Sequence, residues 1–488
     1  MDIEWNWYDN TVFLGEYLPQ DTLDRMKYAN YLYDICAARG ENSNLVVNIN
    51  AEWGAGKTYF TKRLAKSISH HHPTVYIDAW KEGFSDDPLL TVFSAIKEQL
   101  TGQSDKFTTL LNKTVENIGP LLKTATPLIL EGLVKKITGV DNVGDLTKDL
   151  SIKLLELHSE KSNKVTAIKK GINDWVRFIN QKDGIDNKSL PIFIIIDELD
   201  RCRPSFAISL LEITKHIFNI PGVVFIIATD TEQLQHSIKV VYGNEFSANH
   251  YLSRFFDRRF LLPAPQMRDF LYTITPDNVF DEFENLINFL SPVPPSYKHF
   301  IFNCSNIFES MKINLRDAIK LYERLIDTML TTSKSFDPSY LLLMSIVNFK
   351  NNELYAYIKS KNYQDNEVSL ILNQNLSIFI DLSQERTGVV ALAKDGGRRR
   401  NTYKDTELKI TSFQYLQQAG EIIEIGSPVT TRLSGRSSYN EEWWDGGLNE
   451  DGTLKTMLKM GWAKNKTYDK SLSLNQYYDL IELSIIFE

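Results

Sequence analysis

Residues 51–58, AEWGAGKT, constrain this chain more than any other stretch, because they join an apolar run, LVVNIN at 45–50, to a helix-patterned segment that begins at Tyr59. Gly54 and Gly56 allow positive φ, which lets backbone N–H groups close around an anion while the following helix aims its positive end inward. Lys57 adds a point charge for the β and γ phosphates of a nucleotide, and Thr58 a hydroxyl for a magnesium ion. The resulting phosphate-binding loop takes in Ala51, Glu52, Trp53, Gly54, Ala55, Gly56, Lys57, Thr58 and Tyr59. Ala51 stands where such loops usually begin with glycine, a modest departure. A glycine-rich turn that merely happens to precede a helix is the plain alternative; the order strand, loop, Lys-Thr, helix argues against it.

A second anchor is LPIFIIIDELDRCRP at 190–204. An apolar run ending in acids reads as a buried central strand whose tip delivers Asp197 and Glu198 to solvent. Asp197 is then placed to hold magnesium, directly or through water. Glu198 is placed to orient or deprotonate an attacking water, since phosphoryl transfer to water needs a positioned carboxylate near the γ-phosphate. Another central strand, in PGVVFIIATD at 221–230, ends in Thr229 and Asp230, candidates to sense that phosphate; a helix cap is the ordinary alternative for Asp230. Residues 251–265, YLSRFFDRRFLLPAP, carry Arg254, Arg258 and Arg259. An arginine that reaches a neighbouring subunit's phosphates is worth ~10³ to 10⁵ in rate, although surface ion pairing is the commoner use.

The 488 residues suffice for a large core and more than one domain, and the net charge of −8 argues against a surface coated for non-specific DNA binding. Cys36, Cys202 and Cys304 form no CxxC pair, so neither a disulfide framework nor a zinc site is expected, and a reducing, cytoplasmic setting fits best. The acidic, aromatic start MDIEWNWYDN lacks the pattern of an export signal. Residues 19–40 read as an amphipathic helix stopped by Gly40, and 74–79, TVYIDA, as a short strand with Asp78 at its end. His70, His71 and His72 do not share a face and precede Pro73, so they read as a solvated loop and not as a metal site. From 89 to about 181 the pattern is mostly helical; its most apolar part, at 118–137, is broken by Lys123, Glu131, Lys135, Lys136 and two prolines, which makes it a helical insert with peripheral membrane contact as the alternative.

Together these residues resemble the KAP family of P-loop NTPases, over about 21–325. The loop with Trp53 before Gly54, IDAW at 77–80 and IDELDRCRP at 196–204 carry the resemblance, with weaker echoes in DTLDRMKYA, PGVVFIIATD, YLSRFFDRRFLLP and INLRDAIKLYERL at 313–325. It implies an α/β, three-layer sandwich with a parallel central sheet, a helical insert and a helical lid, followed by a separate mixed C-terminal region. The expected divisions are a core at 1–265, a lid at 266–335 and a partner-interaction region at 336–488. In the lid, Arg316 resembles a second sensor, an ordinary helix-start arginine being the alternative. The resemblance further implies an ATP-driven, magnesium-dependent switch acting on a protein partner or on its own assembly, linked in bacterial members to exclusion of phages. Guanine-reading NKxD is missing after the acidic strand, which favours ATP.

Beyond about 335 the text becomes polar. Arg398, Arg399 and Arg400 beside two glycines suit a mobile loop or, as the alternative, phosphates of a nucleic acid or lipid. Residues 420–435 read as a short hairpin, and Trp443 and Trp444 among acids suit a protein contact. A scaffold that binds ATP with little turnover and a DNA-stimulated ATPase remain the alternative functions.

Overall fold

The computed structural model describes residues 3, 5–83, 87–116, 118, 148–181, 184–185, 187–277, 279–280, 283, 294, 296–360, 372, 374–380, 406–425 and 471–485. They divide into two compact units, Met1–Ala264 and Pro265–Glu488. The insert's apolar stretch after Ile118, Arg398 to Arg400, and Trp443 with Trp444 lie outside the described residues.

The first unit opens with a small antiparallel hairpin, β1 (Thr11–Phe13) and β2 (Glu16–Leu18), and a helix α1 (Met26–Gly40). Then come β3 (Leu45–Asn50), helix α2 (Lys57–Ile68), β4 (Thr74–Asp78), the short helix α3 (Ala79–Glu82), α4 (Pro88–Leu100) and α5 (Asp105–Glu116). A long helix spans Lys148–Ile179, followed by β5 (Ile192–Asp197), a helix at Pro204–His216, β6 (Val223–Thr229), helices at Thr231–Tyr242 and Ala248–Leu252, and β7 (Arg258–Leu261). The five strands from β3 to β7 pair in parallel in the order β4-β5-β6-β3-β7. Strand β6 thus separates the strand that carries the glycine loop from the strand that carries the acids.

Successive side chains of a strand face opposite sides of the sheet, so each strand feeds two cores. Val47 and Ile49 of β3, Phe193 and Ile195 of β5, and Val224 and Ile226 of β6 join Leu32 of α1 and Phe60, Leu64 and Ile68 of α2 on one side. Val46, Ile194, Ile196, Phe225 and Ile227 join Val92 and Phe93 of α4, Phe107 of α5, Trp175 and Leu211 on the other. Burial on both faces is why β5 and β6 read as unbroken apolar runs. The helical insert therefore forms part of the outer layer that covers the sheet.

Three local readings need correction. The helix read over 19–40 ends at Gly40 as expected but begins only at Met26, and Glu41 behind it is still right-handed; a Cβ on Gly40 would lie 2.2 Å from Val224 Cγ2, so glycine there permits close packing of helix on strand. His72 is not in a solvated loop: it is 3 % exposed, shares a hydrogen bond of 3.0 Å with the Tyr33 hydroxyl and another of 3.0 Å with the Ser189 carbonyl oxygen, and packs edge-on against Phe193. Only His70 of the triplet is exposed. Residues 420–425 belong to a helix, Ser412–Ile425, and not to a hairpin, because Tyr415, Leu416, Ala419 and Ile423 bury one helical stripe.

The second unit contains helices at Met267–Ile274, Tyr297–Ser310, Leu315–Thr331, Pro338–Lys350, Asn352–Lys359 and Leu474–Ile485, besides that at Ser412–Ile425, with an antiparallel pair β8 (Asn375–Ile380) and β9 (Thr406–Thr411). One core runs from Met267 through Leu321 and Leu343 to Tyr415 and Ile481, with no break at residue 335. Within it Asp337 caps the helix Pro338–Lys350, accepting from the Ser339 and Tyr340 N–H groups, and takes a 2.7 Å hydrogen bond from the Tyr415 hydroxyl. No helix of the described residues is long and apolar enough to cross a membrane.

Candidate functional site

The site forms at the carboxyl ends of β3 and β5, where an open parallel sheet offers a crevice. After Asn50 the chain turns sharply: Ala51 N–H donates to the Thr229 carbonyl at 3.3 Å and Ala55 N–H to that of Glu52 at 3.2 Å. Gly54 and Gly56 have φ of 85° and 81°, a region that L side chains enter at a cost. Gly56 occupies the N-cap of α2 and no side chain caps that helix. Its first-turn N–H groups are therefore available to an anion, with the helix dipole behind them. Lys57, 8 % exposed, donates from Nζ to the carbonyl oxygens of Ala51 at 2.7 Å and Glu52 at 3.1 Å. Burial holds its pKa below the usual lysine value, while the negative charges of Asp200, Asp230 and Asp197 act against that shift.

The acidic strand tip meets this loop directly. Thr58 Oγ1 donates to Glu198 Oε1 at 3.4 Å, Thr61 Oγ1 to Asp197 Oδ2 at 3.2 Å, and Trp53 Nε1 to Asp200 Oδ2 at 2.6 Å. Asp197 is fully buried; besides Thr61, the Tyr76 hydroxyl donates to its Oδ2 at 2.9 Å and the Glu198 N–H to its Oδ1 at 2.9 Å. Burial raises the Asp197 pKa, and hydrogen bonds from Thr58, Tyr76, Glu198 N–H and Thr61 oppose the rise. Glu198 sits at φ 57°, in the left-handed region, at the turn from β5 into a short 3-10 segment, Leu199–Arg201. Its carboxylate pairs with Arg201 Nη1 at 3.2 Å, and Arg201 in turn lies over the exposed Trp80 ring at 5.6 Å from the centroid. Burial raises the Glu198 pKa, the Arg201 charge lowers it, and the Asp197 charge raises it again. A carboxylate raised from its ordinary value is a better proton acceptor near neutral pH.

Of the other residues singled out, Asp230 is 8 % exposed and caps the helix Thr231–Tyr242, accepting from the N–H groups of Glu232 and Gln233. Thr229 is turned into the sheet: Asn48 Nδ2 donates to its hydroxyl at 2.9 Å and it is fully buried, so it does not look into the crevice. Asp78 caps α3 and pairs in register with Asp197. Tyr59 is half-buried and donates from its hydroxyl to the Pro19 carbonyl at 3.1 Å. Glu52 is exposed. Arg254, Arg258 and Arg259 are all exposed; Arg258 stands opposite Val47 and Arg259 opposite Asn48, below the loop, and Arg259 donates to Asn249 Oδ1 at 3.0 Å. Arg316 lies in the second unit, in the first turn of the helix Leu315–Thr331.

Tyr76, Thr61, Asp200, Arg201 and Arg25 were not picked out from the sequence. The signal for Tyr76 was a hydroxyl-bearing residue in an otherwise apolar strand, and that for Thr61 its position one helical turn after Lys57. The oxygens around the strand tip suit a hard divalent cation. Asp200 Oδ1 is buried without a hydrogen-bond partner, so one carboxylate oxygen beside the loop retains its full capacity to accept. Both oxygens of Asp197 are already engaged, which suits holding the ion's water. No cluster of three His, Cys, Asp or Glu side chains able to cage a metal occurs among the described residues; magnesium characteristically needs only one or two carboxylates when substrate phosphates complete its shell.

A glycine loop between a strand and a helix, with its Lys-Thr pair against a buried Asp-Glu strand tip one strand removed, defines a P-loop nucleotide-binding domain. The chain matches the KAP family P-loop domain over residues 25–332, and it belongs to that family. No curated protein matches it. Among solved structures it is similar to the Aeropyrum pernix ORC2 protein in ADPNP-ADP complexes, with 14 % identity, 73 % of this chain and 86 % of that chain covered, and a TM-score of 0.30. It is similar also to the ADP form of the same protein, with 13 % identity, 94 % and 84 % covered, and a TM-score of 0.27. Likeness at that level carries no argument about function.

Proposed function

We propose that this protein is a magnesium-dependent ATPase whose nucleotide state controls its own assembly or a protein partner. The observation that carries the reading is the meeting of Thr58 with Glu198 at 3.4 Å, which brings the Lys-Thr end of the loop and the acidic strand tip to one place. In this reading the loop N–H groups and Lys57 bind the β and γ phosphates. Thr58 and Asp197 hold the magnesium ion, Asp197 through water, and the ion supplies charge neutralisation when bound. Glu198 orients the attacking water and accepts its proton. Asp230 serves as a phosphate sensor, and exposed Arg254, Arg258 or Arg259 serves a neighbouring subunit. ATP is preferred to GTP because NKxD is missing from the sequence. The setting is cytoplasmic, and the physiological role is bacterial defence against phages, as the family resemblance implies.

The test is ATP hydrolysis by the purified chain beside Glu198→Gln. General-base removal is expected to lower turnover by about 10² to 10⁴-fold with ATP binding retained. Equal turnover in the two proteins would end the enzyme reading. One observation favours the slower alternative, a nucleotide-gated scaffold: Glu198 is already ion-paired with Arg201 at 3.2 Å. That alternative predicts tight ATP binding, negligible hydrolysis by the parent chain and a Glu198→Gln variant that retains function.

A further inference from the structure

Arg25 stands at the N-cap of α1, is 4 % exposed, and donates from Nη2 to the Ala55 carbonyl at 3.1 Å and from Nη1 to the Pro263 carbonyl at 2.6 Å. Ala55 is the residue between the two loop glycines. In a trans peptide the C=O and the next N–H point in opposite directions. A guanidinium that takes the Ala55 oxygen from outside therefore turns the Gly56 N–H the other way. Gly56 makes that peptide easy to flip, because a flip turns the φ of Gly56 and that residue has no Cβ to resist the change. Arg25 supplies the resistance, braced by Pro263 just beyond β7.

The charge balance agrees. No carboxylate lies within salt-bridge distance of Arg25 among the described residues. Asp21, the acidic group whose charge acts on it, has its oxygens on the N–H groups of Leu23 at 3.2 Å and Met26 at 2.7 Å. A buried guanidinium bonded only to neutral carbonyls is costly unless something else uses its charge. A polyphosphate in the adjacent loop would do so.

We infer that Arg25 is a positioning residue that locks the peptide between Ala55 and Gly56 with its N–H toward the phosphates. The inference rests on the nucleotide-binding reading of the loop and deepens it. The fork matters as well as the charge, because one ammonium cannot span two carbonyls in fixed directions as a planar guanidinium does.

Binding of ATP and of inorganic tripolyphosphate is measured by calorimetry for the full chain, Arg25→Lys and Arg25→Gln, with Lys57→Ala as the reference for a disabled loop. Both Arg25 variants are expected to lose tenfold or more in affinity, by the same factor for ATP and for tripolyphosphate, because the defect lies in the phosphate cradle. The [¹⁵N]glycine amide signal of Gly56, which shifts when tripolyphosphate binds the parent chain, is expected to shift less in Arg25→Lys. Melting temperatures without ligand identify a variant that has not folded, and the remaining variant then decides. Affinities within threefold of the parent for both ligands, or complete rescue by lysine, overturn the inference. Failure of the parent chain to bind either ligand overturns the nucleotide-binding reading itself.

Discussion

Removing one hydroxyl, that of Tyr76, tests whether the acidic strand tip is held in place by its neighbours. Asp197 is fully buried, and its Oδ2 accepts from Tyr76 at 2.9 Å and from Thr61 at 3.2 Å, its Oδ1 from the Glu198 N–H at 2.9 Å. Tyr76→Phe keeps the ring and its packing and deletes one hydrogen bond to a carboxylate. A bond of that kind contributes about 1.5 to 3 kcal/mol, and both of its partners are buried. The expected loss of stability is about 2 kcal/mol, which for a unit of this size lowers the melting temperature by about 4 to 8 °C. Denaturant unfolding at pH 7 followed by circular dichroism reads the change. The companion variant Thr61→Val shares the same oxygen, so the double variant should depart from additivity by at least 0.5 kcal/mol, as groups in one network do. Loss below about 0.5 kcal/mol for Tyr76→Phe, together with strict additivity, would show that Asp197 is not held this way.

Lys57→Ala should weaken ATP binding by about 1.5 to 3 kcal/mol, the scale of a charge-assisted hydrogen bond, and titration calorimetry checks it; unchanged affinity would remove the lysine from the phosphate site. His72 provides the pH prediction. Burial lowers its pKa from 6.5 to about 4, so the folded chain keeps it neutral while the unfolded chain takes up a proton below 6.5. Stability from this group is thus present above about 6.5 and declines as pH falls toward 4, by up to about 3 kcal/mol at 1.36 kcal/mol per unit. His72→Gln should flatten that limb of the stability profile, and parallel profiles for the two proteins between pH 6.5 and 4.5 would refute it.

The parts of the fold legible in the sequence were those where one physical requirement dominates. Two-sided burial writes β5 and β6 as apolar runs, and the demand for positive φ before a Lys-Thr helix start writes the loop as Gly54 and Gly56. What escaped was set by partners distant in the chain. Strand β7 has the exposed pattern of an edge, with Arg258, Arg259 and Leu261 all facing solvent, so it carries no apolar signal, and only its register with β3 makes it a strand. His72 looked solvated because its partners, Tyr33, Ser189 and Phe193, come from other segments. Arg25 belongs with them: nothing near it in sequence reveals that its acceptors are 30 and 238 positions away. Local text thus specifies the loop's glycines, but the direction of the peptide between them depends on a contact that only the folded chain creates. A variant outside the loop motif, Arg25→Lys, should therefore disable the cradle while leaving all eight residues of the motif intact.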